Sequence, residues 1–287
     1  MSQIYEKWRE LDVNPFDIKF KNIKLIKIIS YPPAQNDVIE CLCEYNKEEI
    51  YVIIKIERSK VAGLDIEAAY LKELEKQGIE NIPKVIEFGK YNNKDYIVLS
   101  KISGERLSDI LKKKVNKEEF LLKYGKMLAN IHNIKIQNKK ESKKRKINYY
   151  PKEDDYANIP EFLKKYINYL KDNEPKFNND TFIHGDFHYA NILWDNNKIN
   201  GLLDWEYCGY GFKEQDIAWA CILRSTQYFM DNVDDIKTFL KGYLEVGNFN
   251  KEYFYWCLIN GYCHFYLMNL NNKEYIKKLE YLLVNFV

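Results

Sequence analysis

The feature that most limits how this chain can fold is a change of hydrophobic period near residue 100. Before it, residues 24–57 are rich in β-branched and aromatic side chains, broken at Ser30-Tyr31-Pro32-Pro33-Ala34-Gln35-Asn36-Asp37 and again at Asn46-Lys47. Apolar runs between such turn residues predict three antiparallel strands. Residues 64–77 follow with Ala68, Leu71 and Leu74 at helical spacing. Ile82-Pro83-Lys84 then leads into two further strands, ending in Tyr96-Ile97-Val98-Leu99-Ser100. Beyond about residue 107 the period is helical, with helices expected near 117–134, 158–171, 213–228, 232–246, 250–268 and 272–285. The interruption is 181–208, where strand-like pieces flank a hairpin turn at Asp195-Asn196-Asn197-Lys198.

This order predicts an α+β protein of two lobes. Residues 1–100 would form a small lobe with a five-stranded antiparallel sheet and one helix. Residues 101–105 would connect it to a larger, mainly helical lobe over 106–287. A chain of 287 residues is long enough to give each lobe its own apolar core.

Composition narrows the class. No run approaches the ~18 uninterrupted apolar residues of a membrane span, and the charged start lacks a signal-peptide core, so a cytoplasmic protein with no membrane partner is expected. Six cysteines without a CxxC pair read as buried free thiols rather than a zinc site. The net charge of +2 is unevenly spread: residues from 181 onward hold 13 acids against 9 bases, a net of −4, which leaves +6 before them. That asymmetry suits a nucleotide on one side and a cationic substrate on the other. The basic run Lys139-Lys140-Glu141-Ser142-Lys143-Lys144-Arg145-Lys146 has no interleaved aromatics and reads as a solvated loop, not a nucleic-acid surface.

The chemistry concentrates in His184-Gly185-Asp186-Phe187-His188-Tyr189-Ala190-Asn191, directly after the apolar strand Thr181-Phe182-Ile183. Phosphoryl transfer needs a carboxylate to orient the acceptor hydroxyl and take its proton, and oxygen ligands to hold magnesium on the nucleotide phosphates. Asp186 suits the first role and Asn191 the second. If the hairpin turns between Asn196 and Asn197, Asn191 faces roughly Leu202 and Asp204 lies two residues beyond. Both side chains then sit at the open end of one hairpin, close enough to share a cation.

These residues, with Phe182-Ile183 before them and Leu203-Asp204-Trp205-Glu206 after, resemble the aminoglycoside phosphotransferase and choline kinase family, which has a bilobal protein-kinase-like fold. The resemblance runs along nearly the whole chain. It implies Asp186 as catalytic base, Asn191 and Asp204 as magnesium ligands, and ATP or GTP as phosphoryl donor. Strand alternation puts Lys55 on a face with Tyr51 and Ile53, where the family's phosphate-binding lysine lies. Glu67 shares a helix face with Tyr70, Leu71 and Leu74, and a carboxylate on an inward stripe wants a cation, for which Lys55 is the nearest candidate. Ser100 and Ile102 occupy the family's hinge beside the adenine.

The turn from Ser30 to Asp37 departs from the glycine-rich loop that covers phosphates in many kinases: it has two prolines and no glycine. Either Ser30, Gln35 and Asn36 bond the phosphates by side chain, or the loop grips them loosely. Around the core site, His184 is expected to brace the loop and Asp216 to anchor the start of a helix. His188 is either on the substrate side or packing, and His132 is a satisfied histidine. Glu206 is the best acidic candidate for contacting the acceptor.

The expected activity is therefore transfer of a phosphoryl group to a hydroxyl of a small cationic molecule, an aminoglycoside before choline, a sugar, a macrolide or an amino-acid alcohol. A protein kinase is disfavoured, since no APE-like element lies between Asp204 and the helix expected near Lys213. A catalytically silent nucleotide-binding relative is the reading from another class, and only the glycine-free loop supports it.

Overall fold

The computed structural model describes residues 9–58, 63–113, 115–137, 159–225 and 229–286. Five strands, β1 (Ile23–Ser30), β2 (Asp37–Tyr45), β3 (Glu48–Ile56), β4 (Val85–Tyr91) and β5 (Lys94–Ser100), form one antiparallel sheet in the order β1-β2-β3-β5-β4. Two of its connections are two-residue turns with both central residues left-handed: Asn46 and Lys47 at φ 52° and 67°, Asn92 and Asn93 at 48° and 62°. Such turns match the twist of the strands they join. Alternation on β3 sorts the sheet's faces. Val52, Ile54 and Ile56 pack with Cys41, Cys43 and the N-terminal segment carrying Val13 and Ile18, whereas Ile53 and Lys55 point the other way, toward the second lobe.

The helix α1 (Leu64–Lys76) lies where the Ala68–Leu71–Leu74 stripe predicts it. The stripe does not close a core private to the small lobe. Leu64, Leu71 and Leu74, with Ile97 and Leu99 of the sheet, belong to the same apolar cluster as the large lobe, and Tyr70 meets Phe182 with ring centroids 5.1 Å apart. One core thus runs through the lobe junction, and a smaller one lies on the sheet's far face.

A short strand β6 (Glu105–Arg106) opens the large lobe and joins the hairpin strands β8 (Ile192–Asp195) and β9 (Lys198–Leu202), while β7 (Thr181–Ile183) pairs with β10 (Gly209–Gly211). Helices α2 (Leu107–Leu111), α3 (Lys117–His132), α4 (Glu161–Asp172), α5 (Lys213–Cys221), α6 (Val233–Leu244), α7 (Lys251–Met268) and α8 (Lys273–Asn285) make up the rest of the described lobe. Asn116, Asn232, Asn250 and Asn272 cap the starts of α3, α6, α7 and α8, each accepting a backbone N–H. The helix expected over 213–228 ends at Cys221, because Ile222 turns extended at ψ 122° and carries Arg224 back over the Trp219 ring. The basic run 139–146 lies outside the described residues. All six cysteines are buried and free. Among the described residues no helix is long and apolar enough to cross a membrane.

The crossing of α3 on α6 is packed backbone against backbone. A Cβ on Gly125 would stand 2.0 Å from the Phe239 carbonyl, and one on Gly242 would stand 2.1 Å from that of Leu122. Two backbones touch here through reciprocal glycines, so even one methyl must push the helices apart. Gly125→Ala is expected to lower unfolding stability by about 1–3 kcal/mol; an unchanged midpoint in denaturant titration would contradict this packing.

Candidate active site

The loop after β7 is held by backbone bonds to one carboxylate. Asp216, on the first turn of α5, accepts the N–H groups of His184 (2.9 Å) and Gly185 (3.1 Å). His132 approaches the same carboxylate at 3.3 Å and meets Tyr243 Oη at 2.8 Å through its other nitrogen, as a satisfied core histidine does. Gly185 has φ 77°, and a Cβ there would lie 2.2 Å from the Tyr207 carbonyl, so only glycine fits. His184 is fully buried. Its Nδ1 accepts the Asp186 N–H, so Nε2 donates to the Leu203 carbonyl at 3.0 Å. Burial pushes its pKa down to about 4, which keeps it a neutral brace between the loop and the hairpin end.

Asp195 pairs with Lys198 across left-handed Asn196 and Asn197 (φ 47° and 60°), as a tight hairpin requires. Leu193 then pairs with Gly201 and Trp194 with Ile199, so Asn200 is an extra residue on β9. This bulge shifts the expected register by one: Leu203 N–H, not Leu202, meets the Asn191 carbonyl, at 2.8 Å. Asn200 turns outward and bonds the Ser103 carbonyl at 2.7 Å, tying the connector to the hairpin. Asp204 follows in the left-handed region at φ 67°, which aspartate tolerates better than most residues.

Lys55 lies between two carboxylates. Its Nζ is 2.9 Å and 3.0 Å from the two Glu67 oxygens and 2.7 Å from Asp204 Oδ1. Burial opposes charge on both partners, yet Asp204 and Glu67 raise the Lys55 pKa, and Lys55 in turn lowers that of Asp204. Glu67 Oε1 also accepts the Trp205 N–H at 3.2 Å. Carboxylate oxygens of Glu67, Asp204 and Glu206 lie within 4.8 Å of one another. Asn191 donates its amide N–H to the Asp186 carbonyl at 3.0 Å and lines the same wall as Asp204. Hard oxygen donors around a surplus of negative charge suit a small divalent cation.

Two cavities meet here. One of about 330 Å³ is lined by Asp186, His188, Asn191, Asp204 and Glu206. The other, of about 310 Å³, runs between Ile53, Leu99, Ser100 and Ile102. Lys55, Asn191, Asp204 and Arg106 border both. The Ser100 hydroxyl accepts the Lys84 N–H at 2.8 Å, which ties it to the sheet. Ser30 is not brought to the site: it lines neither cavity, and its hydroxyl donates to Glu40 at 2.8 Å. Asn36 is brought there but is engaged, donating to Glu206 at 2.9 Å and accepting the Arg58 N–H at 3.2 Å. Gln35 accepts from Tyr207 at 3.3 Å. The glycine-free loop is thus bound to the large lobe by its own polar groups.

Two residues of the site have no counterpart in the sequence reading. Trp219 Nε1 donates to Asp186 Oδ1 at 2.8 Å. It sits one helical turn after Asp216, so one face of α5 holds both the backbone and the carboxylate of the loop; that i, i+3 spacing is the signal that would have found it. Arg106 has no such signal, being a lone arginine at an element boundary.

A five-stranded sheet over a helical lobe, with this loop and hairpin between them, defines a kinase-like phosphotransferase architecture. The sequence profile of the phosphotransferase enzyme family matches residues 46–253, and the chain belongs to that family. No curated protein sequence matches it. Among solved structures, an aminoglycoside-3′-phosphotransferase of type VIII superposes with TM-score 0.58 at 14% identity, covering 84% of this chain and 94% of that one. A spectinomycin phosphotransferase in complex with ADP and spectinomycin gives 0.57 at 16%, over 91% and 89%. An ethanolamine kinase of Plasmodium vivax gives 0.51 at 14%, over 88% and 80%. At these identities the likeness is one of fold.

Glu206 supplies a pH-dependent prediction. Burial first, and then the Asp204 charge, push its pKa from 4.5 to about 8. The folded chain therefore holds a proton that the unfolded chain has released, and this group's contribution to stability falls as pH rises from about 5 to 8. Glu206→Gln should flatten that fall; denaturant midpoints across this range in both proteins provide the check, and parallel curves would contradict the assignment.

Proposed function

We propose that this chain moves the γ-phosphoryl group of ATP or GTP to a hydroxyl of a small cationic molecule, with an aminoglycoside as the foremost acceptor class. The single observation that carries the reading is the convergence of Asp186, Asn191, Asp204 and Lys55 on one wall between the lobes. Within the reaction, Asp186 takes the acceptor's O–H proton. The freed oxygen bonds to the γ-phosphorus as the bond from that phosphorus to the β-bridging oxygen breaks, and the nucleoside diphosphate leaves with that electron pair. Trp219 fixes which carboxylate oxygen faces the acceptor. Lys55, oriented by Glu67, meets the phosphates, and the apolar faces of Ile53, Leu99 and Ile102 receive the base. Asn191 and Asp204 would hold magnesium, which neutralises phosphate charge when bound. Most of the rate comes from positioning and charge neutralisation rather than covalent chemistry.

The preference for a cationic acceptor rests on the net −4 from residue 181 onward and on Glu206, which lines the cavity of Asp186 and would ionise against an arriving positive group. His188, 3.8 Å from Asp186, borders the same space.

Release of nucleoside diphosphate tests the reading directly, with aminoglycosides, choline, ethanolamine, sugars and amino-acid alcohols as acceptors. Acceptor-dependent turnover should vanish in Asp186→Ala and fall severely in Lys55→Met. Trp219→Phe removes the donor while keeping an aromatic ring, and should lower kcat by about tenfold with little change in the KM for nucleotide. Turnover with none of these acceptors, alongside tight nucleotide binding, would sink the catalytic reading.

A further inference from the structure

The space between the lobes is poor in positive charge for a site that must take a polyanion. Three cations line it: Lys55, Lys101 and Arg106. Lys55 is held by Glu67 and Asp204. Lys101, at the outer edge, is paired with Glu40 at 2.5 Å. Arg106 borders both cavities, is exposed, and makes no hydrogen bond or ion pair with another described side chain.

The loop that covers phosphates in other kinases has few donors to offer here. Pro32 and Pro33 have no N–H. The Asn36 amide is on Glu206 and the Ser30 hydroxyl on Glu40. The Gln35 side-chain oxygen accepts from Tyr207 of the large lobe. This loop is built to hold itself against the large lobe.

Arg106 has a fixed base from which to reach across the space below that loop. Its backbone pairs with Leu193 of β8, and the next residue, Leu107, is fully buried at the start of α2. Gly104, two residues earlier, packs so tightly on the hairpin that a Cβ would lie 2.9 Å from the Trp194 carbonyl. A guanidinium on a rigid backbone presents a planar fork that matches two phosphate oxygens at once, which an ammonium cannot do.

We propose that Arg106 binds the β- and γ-phosphates of the donor nucleotide from the large-lobe side, in place of the backbone amides that a glycine-rich loop would supply. The assignment rests on the phosphotransfer reading and adds to it the residue that compensates for the missing glycines.

Calorimetric titration with magnesium and ATP, and separately with adenosine, separates the possibilities in the wild type, Arg106→Ala and Arg106→Lys. Arg106→Ala should weaken ATP binding by about tenfold or more, the loss of charge-assisted hydrogen bonds, and leave adenosine binding within about twofold. Arg106→Lys should recover only part of the loss, since it restores charge without the fork. Equal loss for ATP and adenosine would assign Arg106 to the base pocket or to folding and overturn the proposal, as would no loss for either. A wild-type protein that binds ATP no better than adenosine would strike the phosphotransfer reading itself. An Arg106→Ala protein that keeps the full ATP preference would strike this assignment alone.

Discussion

The buried ammonium of Lys55 is the contact on which the rest of the site depends. It comes from the centre of the sheet, its first partner Glu67 from α1, and its second partner Asp204 from the end of the large lobe's hairpin. Ion pairs of this kind add little net stability, because desolvating the charges offsets most of the Coulombic gain. Their effect is on position. Leaving Glu67 buried without Lys55 would cost about 3–5 kcal/mol, so the sheet, the helix and the hairpin are held at one relative placement. The Trp205 N–H on Glu67 and the Asn36 amide on Glu206 add two further ties across the same gap. The continuous apolar core under α1 supports them, since Leu71 and Leu74 are buried among large-lobe residues.

The loop carrying Asp186 obeys a second constraint, the satisfaction of buried backbone groups. The N–H groups of His184 and Gly185 point into the protein, where Asp216 takes both. His184 must then be neutral, since its Nδ1 accepts the next N–H, and burial keeps it so. With the backbone fixed, the Asp186 carboxylate has one remaining freedom, and Trp219 removes it. One helix face, Asp216 and Trp219, therefore holds both the backbone and the carboxylate of the loop, and His184 braces it against the hairpin end.

How far the sequence discloses this site depends on how local each determinant is. Strand period puts Lys55 on the inward face of β3 and helix period puts Glu67 opposite it, because both patterns are set by neighbours in the chain. Hairpin arithmetic brings Asn191 near Asp204 but misses by one residue, since the bulge at Asn200 follows from that side chain's bond to Ser103, far away in sequence. Ser30 looks free in a turn and is not, because Glu40 stands opposite it across the β1–β2 ladder. Trp219 on a helix reads as core, and its indole N–H finds Asp186 only once the lobe has assembled.

The same logic bears on the acceptor. The Trp219 ring beside Asp186 already carries the Arg224 guanidinium, 4.8 Å from its centroid, with Phe265 packed nearby. With that ring already engaged by a cation, the cavity of Asp186 offers a positive group the carboxylates that line it. Glu206 still holds its proton near neutrality, kept there by burial and by Asp204. A positive group arriving at this wall would offset the Asp204 repulsion and favour ionised Glu206, so that binding and proton release are coupled. A neutral acceptor would leave that proton in place. Proton release from Glu206 thus reports the arrival of a positive group at this wall, a metal cation held by Glu67, Asp204 and Glu206 included.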